Sequence, residues 1–309
     1  MARTLIRNAT IVTMDRQGDL PLGDLLVRQD RIEAIAPAIT ADDVEVVDAT
    51  GCIVIPGLVN AHMHTWQTAL RGVAANWTLL EYFRKMHAGL ATAFGPEDLF
   101  IATRMGALNQ LNCGTTTLAD WCHNNPTPAH DDAAIEGLLS SGIRAAYFHG
   151  TPKPEPKPGQ VPFWEVPHPR KEVERLLAAH QGKALLSIQA AVLGPHYSTL
   201  DVAMHDFRMA RELGLIASLH QGGGAARTPD GWERLEAAGL LEPHINIVPG
   251  HAQDRHRLLQ LDHGLLEHAV GRSVRRFRQA DHLRRQCRGG PRRAALLHLR
   301  HAPRISGGH

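Results

Sequence analysis

Residues 54–65 read VIPGLVNAHMHT, an apolar run that ends in two histidines two positions apart. In a β-strand, residues i and i+2 point to the same face, so the imidazoles of His62 and His64 can reach one metal ion from one strand. Imidazole binds zinc, iron and nickel, and a catalytic site takes about three protein ligands and keeps one open position. A chance pair among 20 histidines is the alternative. The context disfavours it, because Pro56-Gly57 breaks the chain just before the pair.

Further motifs follow this stretch in order along the chain. The segments PGLVNAHMH at 56–64 and LRG at 70–72 resemble the first-strand motif of the amidohydrolase superfamily, in particular its cytosine deaminase-like and chlorohydrolase-like branch. The resemblance extends over residues 3 to 254. It also rests on GTTTLAD at 114–120, GPHYS at 194–198, SLH at 218–220, and NIV at 246–248 running into His251.

The hydrophobic pattern divides the chain into three segments. Short alternating runs separated by turn residues predict a small antiparallel β unit in residues 1–55. Residues 56–254 alternate strand-like and helical patterns in about six units, which favours a parallel barrel. A doubly wound sheet is disfavoured, because no GxGxxG follows a first strand. Residues 255–309 form an Arg- and His-rich tail. We therefore expect an α/β fold, an incomplete (β/α) TIM-type barrel, and the resemblance implies that the N-terminal unit is a β-sandwich portion.

The expected strands of this parallel unit are apolar runs. They are Cys52–Asn60, Thr115–Asp120, Arg144–His149, Ala184–Leu193, Leu215–His220 and Ile245–Val248.

The resemblance implies roles for further histidines. His220 ends an apolar run, as the third metal ligand of the family does. His251 corresponds to the catalytic histidine after the sixth strand, which contacts the substrate or the metal-bound water. His196 corresponds to a substrate-facing histidine, and Trp66 and Gln67, directly after the metal pair, complete the predicted substrate-binding set. The implied cofactor is one divalent metal ion, zinc, with iron as the alternative.

These residues predict a metal-dependent hydrolase that acts on a non-peptide carbon–nitrogen bond of a small-molecule substrate, as deaminases and amidohydrolases do. The metal lowers the pKa of water from about 15.7 toward about 7, and the resulting hydroxide attacks a carbon that carries an amino, amide or halide leaving group. A carboxylate must take up the water proton. In the family this carboxylate is an Asp after the eighth strand.

The sequence departs from the family in two places. Gly223 stands where ring deaminases carry the Glu of His-x-x-Glu, which disfavours a cytosine-like substrate, while the glycine run leaves room for a bulkier substrate or a close backbone approach. After Asp254 no segment resembles strands seven and eight, and the Gly-x-Asp motif is absent. Asp120 and Asp254 are the nearby substitutes for the missing carboxylate. The alternative function is therefore a catalytically impaired, truncated or frameshifted member that at best binds metal.

The tail differs in charge from the rest of the chain. Residues 255–309 carry 13 Arg and three acids, a net charge of +10, whereas residues 1–254 carry −8. Arg, His and Gly without Lys are typical of a GC-rich gene read out of frame. A genuine basic tail could contact phosphates, but a nucleic-acid partner is not expected, because neither a recognition motif nor interleaved aromatic residues accompany it.

A proline-rich connection follows the third predicted barrel strand, at residues 151–169. Loops after the strands of a βα barrel lie on the catalytic face. We therefore expect a stiff substrate lid carrying Phe163 and Trp164, with a plain surface linker as the alternative.

Cellular location and partners follow from composition. No apolar run approaches about 18 residues, so no membrane span is expected, and the first residues lack a signal-peptide core. The four cysteines form no CxxC pair, which predicts a reduced, cytoplasmic protein. Because members of the family are often dimers or larger, a homo-oligomer is compatible with the sequence.

Overall fold

The computed structural model of the protein describes residues 3–16, 18–222, 225–241 and 244–248. These residues separate into two compact units, one ending at Leu58 and the other beginning at Val59. His251, Asp254 and the basic tail of residues 255–309 lie outside the described residues. Among the described helices, none combines the length and apolar character needed to cross a membrane.

The first unit contains one five-stranded sheet. Its strands are β1 (Arg3–Ile11), β2 (Leu20–Arg28), β3 (Arg31–Ala36), β4 (Glu45–Asp48) and β5 (Ile53–Val54). Strands β1, β2 and β3 pair antiparallel, as expected, but β4 and β5 pair parallel to β1. The expectation of a purely antiparallel unit was wrong for these two strands, because the chain crosses from β3 to the other side of β1 before it forms β4.

The second unit is built on a six-stranded sheet of a TIM-type barrel, in the order β6 to β11. Its strands are β6 (Leu58–Met63), β7 (Thr115–Cys122), β8 (Arg144–His149), β9 (Leu186–Ala191), β10 (Ala217–His220) and β11 (Ile245–Val248). Neighbours from β7 to β11 pair parallel. The six predicted strands of the barrel unit are therefore present among the described residues.

The first predicted barrel strand, Cys52–Asn60, is divided in the structure. Residues 53 and 54 form β5, which pairs with β1, whereas β6 begins at Leu58. Pro56 has no backbone N–H to give to a ladder, so a strand cannot run through it. Strand β6 consequently extends further than predicted and includes His62.

Helices follow the strands from β6 to β10. They are α1 (Leu79–Tyr82), α2 (Pro96–Asn112), α3 (Pro128–Ser141), α4 (Arg170–Ala179), α5 (Gly194–Tyr197), α6 (Leu200–Glu212) and α7 (Gly231–Ala237). The backbone N–H of Gly95 donates to Asp98 Oδ2 at 2.8 Å, which caps α2. Helix α3 ends at Gly142, whose φ of 77° is the left-handed conformation that glycine adopts without strain.

An apolar core holds these strands in register. Leu118 of β7 and Tyr147 of β8 pack in one cluster with Leu99 of α2 and Ile135 and Leu138 of α3, and each is at most 1% exposed. Burial of such side chains stabilises each by about 1.5–3 kcal/mol. The strands are thereby fixed, and their carboxyl ends come together at one edge of the sheet, where polar residues follow the apolar runs.

Candidate metal centre and active site

Three histidines from two strand ends converge on one point. His62 lies in β6, His64 directly follows β6, and His220 is the last residue of β10. The Nε2 atom of His62 lies 3.2 Å from that of His64 and 3.1 Å from that of His220, and the ligand atoms of all three lie within 4.8 Å of one another. Two ligand nitrogens about 2.05 Å from a tetrahedral zinc ion stand about 3.3 Å apart. The donor set therefore fits a single metal ion.

The orientation of His64 is set by the backbone of β7. Its Nδ1 atom lies 2.6 Å from the carbonyl oxygen of Trp121. A carbonyl oxygen can only accept, so Nδ1 carries the proton and Nε2 presents its lone pair to the centre. A metal-binding histidine commonly has such a partner on its second nitrogen.

All three imidazoles are neutral at neutral pH. Burial lowers the pKa of His62 to about 4, of His64 to about 3 and of His220 to about 2. For His64 and His220, mutual repulsion and the charge of Lys153 act in the same direction. Neutral imidazole is the form that binds a metal ion, so no deprotonation cost opposes binding.

Asp120 of β7 fixes the turn that follows His64. It is fully buried, and its Oδ1 accepts from the backbone N–H of Thr65 at 3.0 Å, while its Oδ2 accepts from the Thr65 hydroxyl at 2.7 Å. Burial raises the pKa of Asp120 to about 6. Both oxygens thus accept hydrogen bonds from Thr65, and Asp120 holds this turn. Its use as a substitute for the carboxylate of the family remains a prediction. Asp254, the other substitute, lies outside the described residues.

Trp121 covers the histidines from one side. Its ring centroid lies 4.3 Å from that of His220 and 5.5 Å from that of His64. Its indole N–H donates to Ser218 Oγ at 3.0 Å, which holds the ring in place. Sequence reasoning did not assign this residue, although it directly follows the predicted strand Thr115–Asp120 and therefore falls at the edge where ligands were expected.

Trp66, predicted to contact substrate, is fully buried. Its indole N–H donates to His123 Nδ1 at 3.1 Å, so His123 carries its proton on Nε2 and donates it to His87 Nε2, 3.1 Å away. The ring of His123 lies 4.4 Å from that of His64. Burial lowers the pKa of His123 and brings that of His87 to about 2. Trp66 thus belongs to a hydrogen-bonded chain that packs behind His64.

The two other predicted substrate-binding residues occupy different surroundings. Gln67 is half-buried and its side-chain amide donates to the hydroxyl of Tyr82. His196 of α5 is 7% exposed, lines a cavity of about 890 Å³, and has its pKa lowered by burial. Phe163 and Trp164 of the proline-rich connection line the same cavity. That this segment is a substrate lid remains a prediction.

Lys153, which was not assigned from the sequence, joins this cavity to the metal centre. It lines the cavity, and its Nζ lies 5.4 Å from the ring centroid of Trp121. Burial lowers the pKa of Lys153 to about 7. The sequence around Lys153, a long proline-rich loop, did not predict that its ammonium group would be removed from solvent.

The glycine run after His220 allows a close backbone approach, as expected. A Cβ atom at Gly222 would lie 2.2 Å from the Tyr197 hydroxyl oxygen and 3.0 Å from His196 Nε2. A larger residue would displace both side chains from the cavity wall. Gly223 and Gly224 lie outside the described residues.

A parallel barrel with convergent histidines at its strand ends is the arrangement expected of barrel proteins with a histidine metal centre. Comparison with known families agrees with that class. Residues 53–232 match the model described as the amidohydrolase family. The chain belongs to this family.

The alignments with individual relatives cover only part of each protein. The chain is 30% identical over 200 residues to a 5'-deoxyadenosine deaminase of Methanosarcina mazei, which is 63% of this chain and 43% of the relative. It is 29% identical over 227 residues to a 5-methylthioadenosine/S-adenosylhomocysteine deaminase of Bacillus cereus, which is 71% of this chain and 49% of the relative. The chain thus spans about half the length of the curated relatives it matches.

A solved structure shares the fold. A mutant of atrazine chlorohydrolase from Arthrobacter aurescens, complexed with zinc and atraton, aligns with a TM-score of 0.69 at 22% identity. The alignment covers 85% of this chain and 64% of that protein. At this identity the similarity establishes the TIM-type barrel fold.

Proposed function

We propose that this chain is a metal-dependent hydrolase acting on a non-peptide carbon–nitrogen bond, with His62, His64 and His220 as ligands of one divalent metal ion. The observation that carries the proposal is the convergence of three neutral imidazole nitrogens, with neighbouring Nε2 atoms 3.1–3.2 Å apart. When all three imidazoles carry their proton on Nδ1, as His64 does, the three Nε2 lone pairs face one another and repel unless a cation lies between them. The arrangement of the three histidines is therefore more favourable with a metal ion bound than without one.

Zinc is the metal we propose, with iron as the alternative, because three imidazoles suit both ions. Zinc is also the ion named for the structurally similar chlorohydrolase. When bound, such an ion supplies a water of lowered pKa as nucleophile.

The remaining residues of the site position and enclose the reactants. The Trp121 carbonyl and the Asp120–Thr65 turn hold His64, while the Trp121 ring keeps water from the ligand rings. Neutral His196 can donate one hydrogen bond to a substrate in the cavity or accept one from it. We assign Trp66 to support of His123, on the basis of its burial, rather than to substrate contact. Substrate contact by Gln67 and catalysis by His251 remain predictions.

The substrate we propose is a nitrogen heterocycle that carries an exocyclic amine. Aromatic residues of the cavity wall, among them Phe83, Tyr197 and Trp164, provide faces on which a planar ring can stack. Two relatives are named as deaminases of adenosine-type compounds, which favours such a ring although Gly223 stands where ring deaminases carry a Glu. Since the chain spans about half of those relatives, their substrates are a starting set for assay.

The test is ammonia release by the full chain after loading with zinc and removal of excess ion. The assay uses 5'-deoxyadenosine, 5-methylthioadenosine and an amino-triazine as substrates. We expect release from at least one of them, loss of release in His220→Ala, and retention in His205→Gln. His205 is a suitable control, because its side chain is 42% exposed on α6 and it belongs to a separate ion pair with Asp206.

A catalytically impaired metal-binding protein is the second candidate. It is favoured by the two hydrogen bonds that Asp120 accepts from Thr65, because a carboxylate held in this turn is not free to reorient toward the nucleophile. This candidate predicts one bound zinc per chain, lost in His220→Ala, with no ammonia from any substrate. Ammonia release that depends on His220 would exclude it.

A further inference from the structure

The cavity beside the metal centre is lined by more positive than negative side chains. Lys153, Arg84 and Arg227 line it, against one carboxylate, that of Glu155. Within the described part of the chain, none of the three cations forms an ion pair. Surface cations gain little from ion pairs and are often solvated alone, but three that face one concave space create a positive potential inside it.

Aromatic rings hold two of these cations without neutralising them. The Arg227 guanidinium lies 4.1 Å from the ring centroid of Trp164, and Lys153 Nζ lies over the ring of Trp121. Such cation–π contacts fix the position of a cation while its charge remains available. The loop of Arg227 is itself anchored, because its backbone N–H donates to the His196 carbonyl at 3.0 Å.

Among the three cations, Lys153 has N–H donors that lack acceptors in the described residues. An ammonium has three N–H donors, and the described residues accept one of them, at the long distance of 3.4 Å to the Thr151 carbonyl. A charge removed from water costs free energy unless it is paired and hydrogen-bonded. A ligand oxygen with negative charge would satisfy the remaining donors.

The three cations lie at different depths. Lys153 touches Trp121, whose other neighbours are the rings of His220 and His64, so it marks the inner end of the cavity. Arg84 and Arg227 are exposed and mark the outer rim. An anion would therefore be attracted at the rim and bound at Lys153, beside the metal centre.

From this arrangement we infer that the substrate carries an anionic oxygen group, a carboxylate or a phosphate, and that Lys153 is its counter-ion. Arg227 and Arg84 increase the local concentration of such a substrate. The inference rests on the proposed function for the identity of the reacting amine. The binding of the anionic group itself depends on the cavity alone.

The test measures binding with three ligands that share one ring system: adenosine, adenosine 5'-carboxylate and adenosine 5'-monophosphate. Isothermal titration of the full zinc-loaded chain gives their dissociation constants. We expect at least one anionic ligand to bind about tenfold or more tightly than adenosine, the value of one charged hydrogen bond. Comparison of carboxylate with phosphate identifies the group that fits.

Substitutions test whether Lys153 causes the preference for anionic ligands over adenosine. Lys153→Met should abolish it, Lys153→Arg should retain part of it, and Arg227→Gln should reduce it. Lys157→Met is the matched control, because Lys157 is an exposed residue of the same segment outside the cavity lining. Zinc content and the near-ultraviolet circular dichroism of the tryptophans establish that each variant is folded.

Equal binding of all three ligands, no binding of any, or a preference that survives in Lys153→Met would overturn the inference. Ammonia release measured on the same samples separates it from the proposed function. Turnover without a charge preference would leave the hydrolase proposal standing and remove this one. A Lys153-dependent preference without turnover would support this inference and contradict the hydrolase proposal.

Discussion

Two groups of histidines lie at strand ends of the barrel unit, and among the described residues only the first is arranged for a metal ion. The first is His62, His64 and His220, whose Nε2 atoms face one another. The second is His149 at the end of β8 together with His168, which precedes α4. The first group is half-buried and the second is buried, so deeper burial does not by itself mark a metal site.

The second group is saturated by protein partners. His149 Nδ1 lies 2.9 Å from His168 Nε2, and His149 Nε2 lies 3.4 Å from Asp131 Oδ2. The other oxygen of Asp131 accepts from the Tyr147 hydroxyl at 2.6 Å and from Asn125 at 3.0 Å. These ring nitrogens are therefore used within the fold, and none of them is left to converge with others on a cation.

The difference shows that partner chemistry, and not histidine content, defines the candidate metal centre. In the first group a backbone carbonyl takes the proton of His64 Nδ1, which turns the opposite nitrogen toward two more imidazoles. In the second group a carboxylate and a hydroxyl occupy the positions that a metal ion would need. Substitutions in the two groups should accordingly have different consequences.

The largest expected effect comes from exchanging one histidine in each group. His64→Ala should reduce zinc affinity more than about a hundredfold, beyond the 10–100-fold loss typical of residues that only support a ligand. His149→Gln should leave zinc affinity unchanged and lower the thermal midpoint, because it weakens the contact with buried Asp131. Competition with a chromophoric chelator measures the first quantity and calorimetry the second. Zinc loss in His149→Gln would remove the distinction between the groups.

A smaller effect, shared by both groups, is expected from pH. The buried histidines have pKa values below the 6.5 of the unfolded chain, so from pH 6.5 downward the unfolded state takes up protons that the folded state excludes. The free energy of unfolding should therefore fall as the pH falls. The six histidines with the largest pKa shifts are His62, His64, His87, His123, His168 and His220.

Two carboxylates oppose this trend. Burial raises the pKa of Asp120 and of Asp206 to about 6, so the folded state takes up protons there that the unfolded state does not. Six histidines outnumber them. We expect the metal-free chain to lose at least about 2 kcal/mol between pH 7 and pH 5, the contribution of one fully buried histidine. Urea unfolding at the two pH values measures this, and equal or higher stability at pH 5 would contradict it.

The smallest expected effect concerns the residue that positions His64. Asp120→Asn keeps the shape of the side chain but replaces one acceptor oxygen of the Thr65 turn with a donor. Zinc affinity should fall about tenfold to a hundredfold, as for other residues that orient a ligand. The same change at Asp132, whose carboxylate pairs with Arg175 at the surface, is the control and should leave affinity unchanged. An unaltered affinity in Asp120→Asn would show that His64 needs no support from this turn.

Much of the barrel unit was predictable from local pattern. The boundaries of β7 to β11 were expected within two residues, because an apolar run bounded by turn residues marks a buried strand locally. The division of Cys52–Asn60 and the parallel pairing of β4 and β5 were not expected, since strand pairing depends on residues distant in sequence.

The sequence by itself determined that His62 and His64 share a face, because side chains in a strand alternate with a period of two. It also placed His220 at a strand end, since an apolar run stops there. Only the tertiary structure decided that these atoms meet, that Trp66 is buried behind them, and that Asp120 is held by Thr65. The physical reason is that hydrogen-bond partners and charge neighbours come from segments far apart in the chain, as Lys153 and Trp121 do.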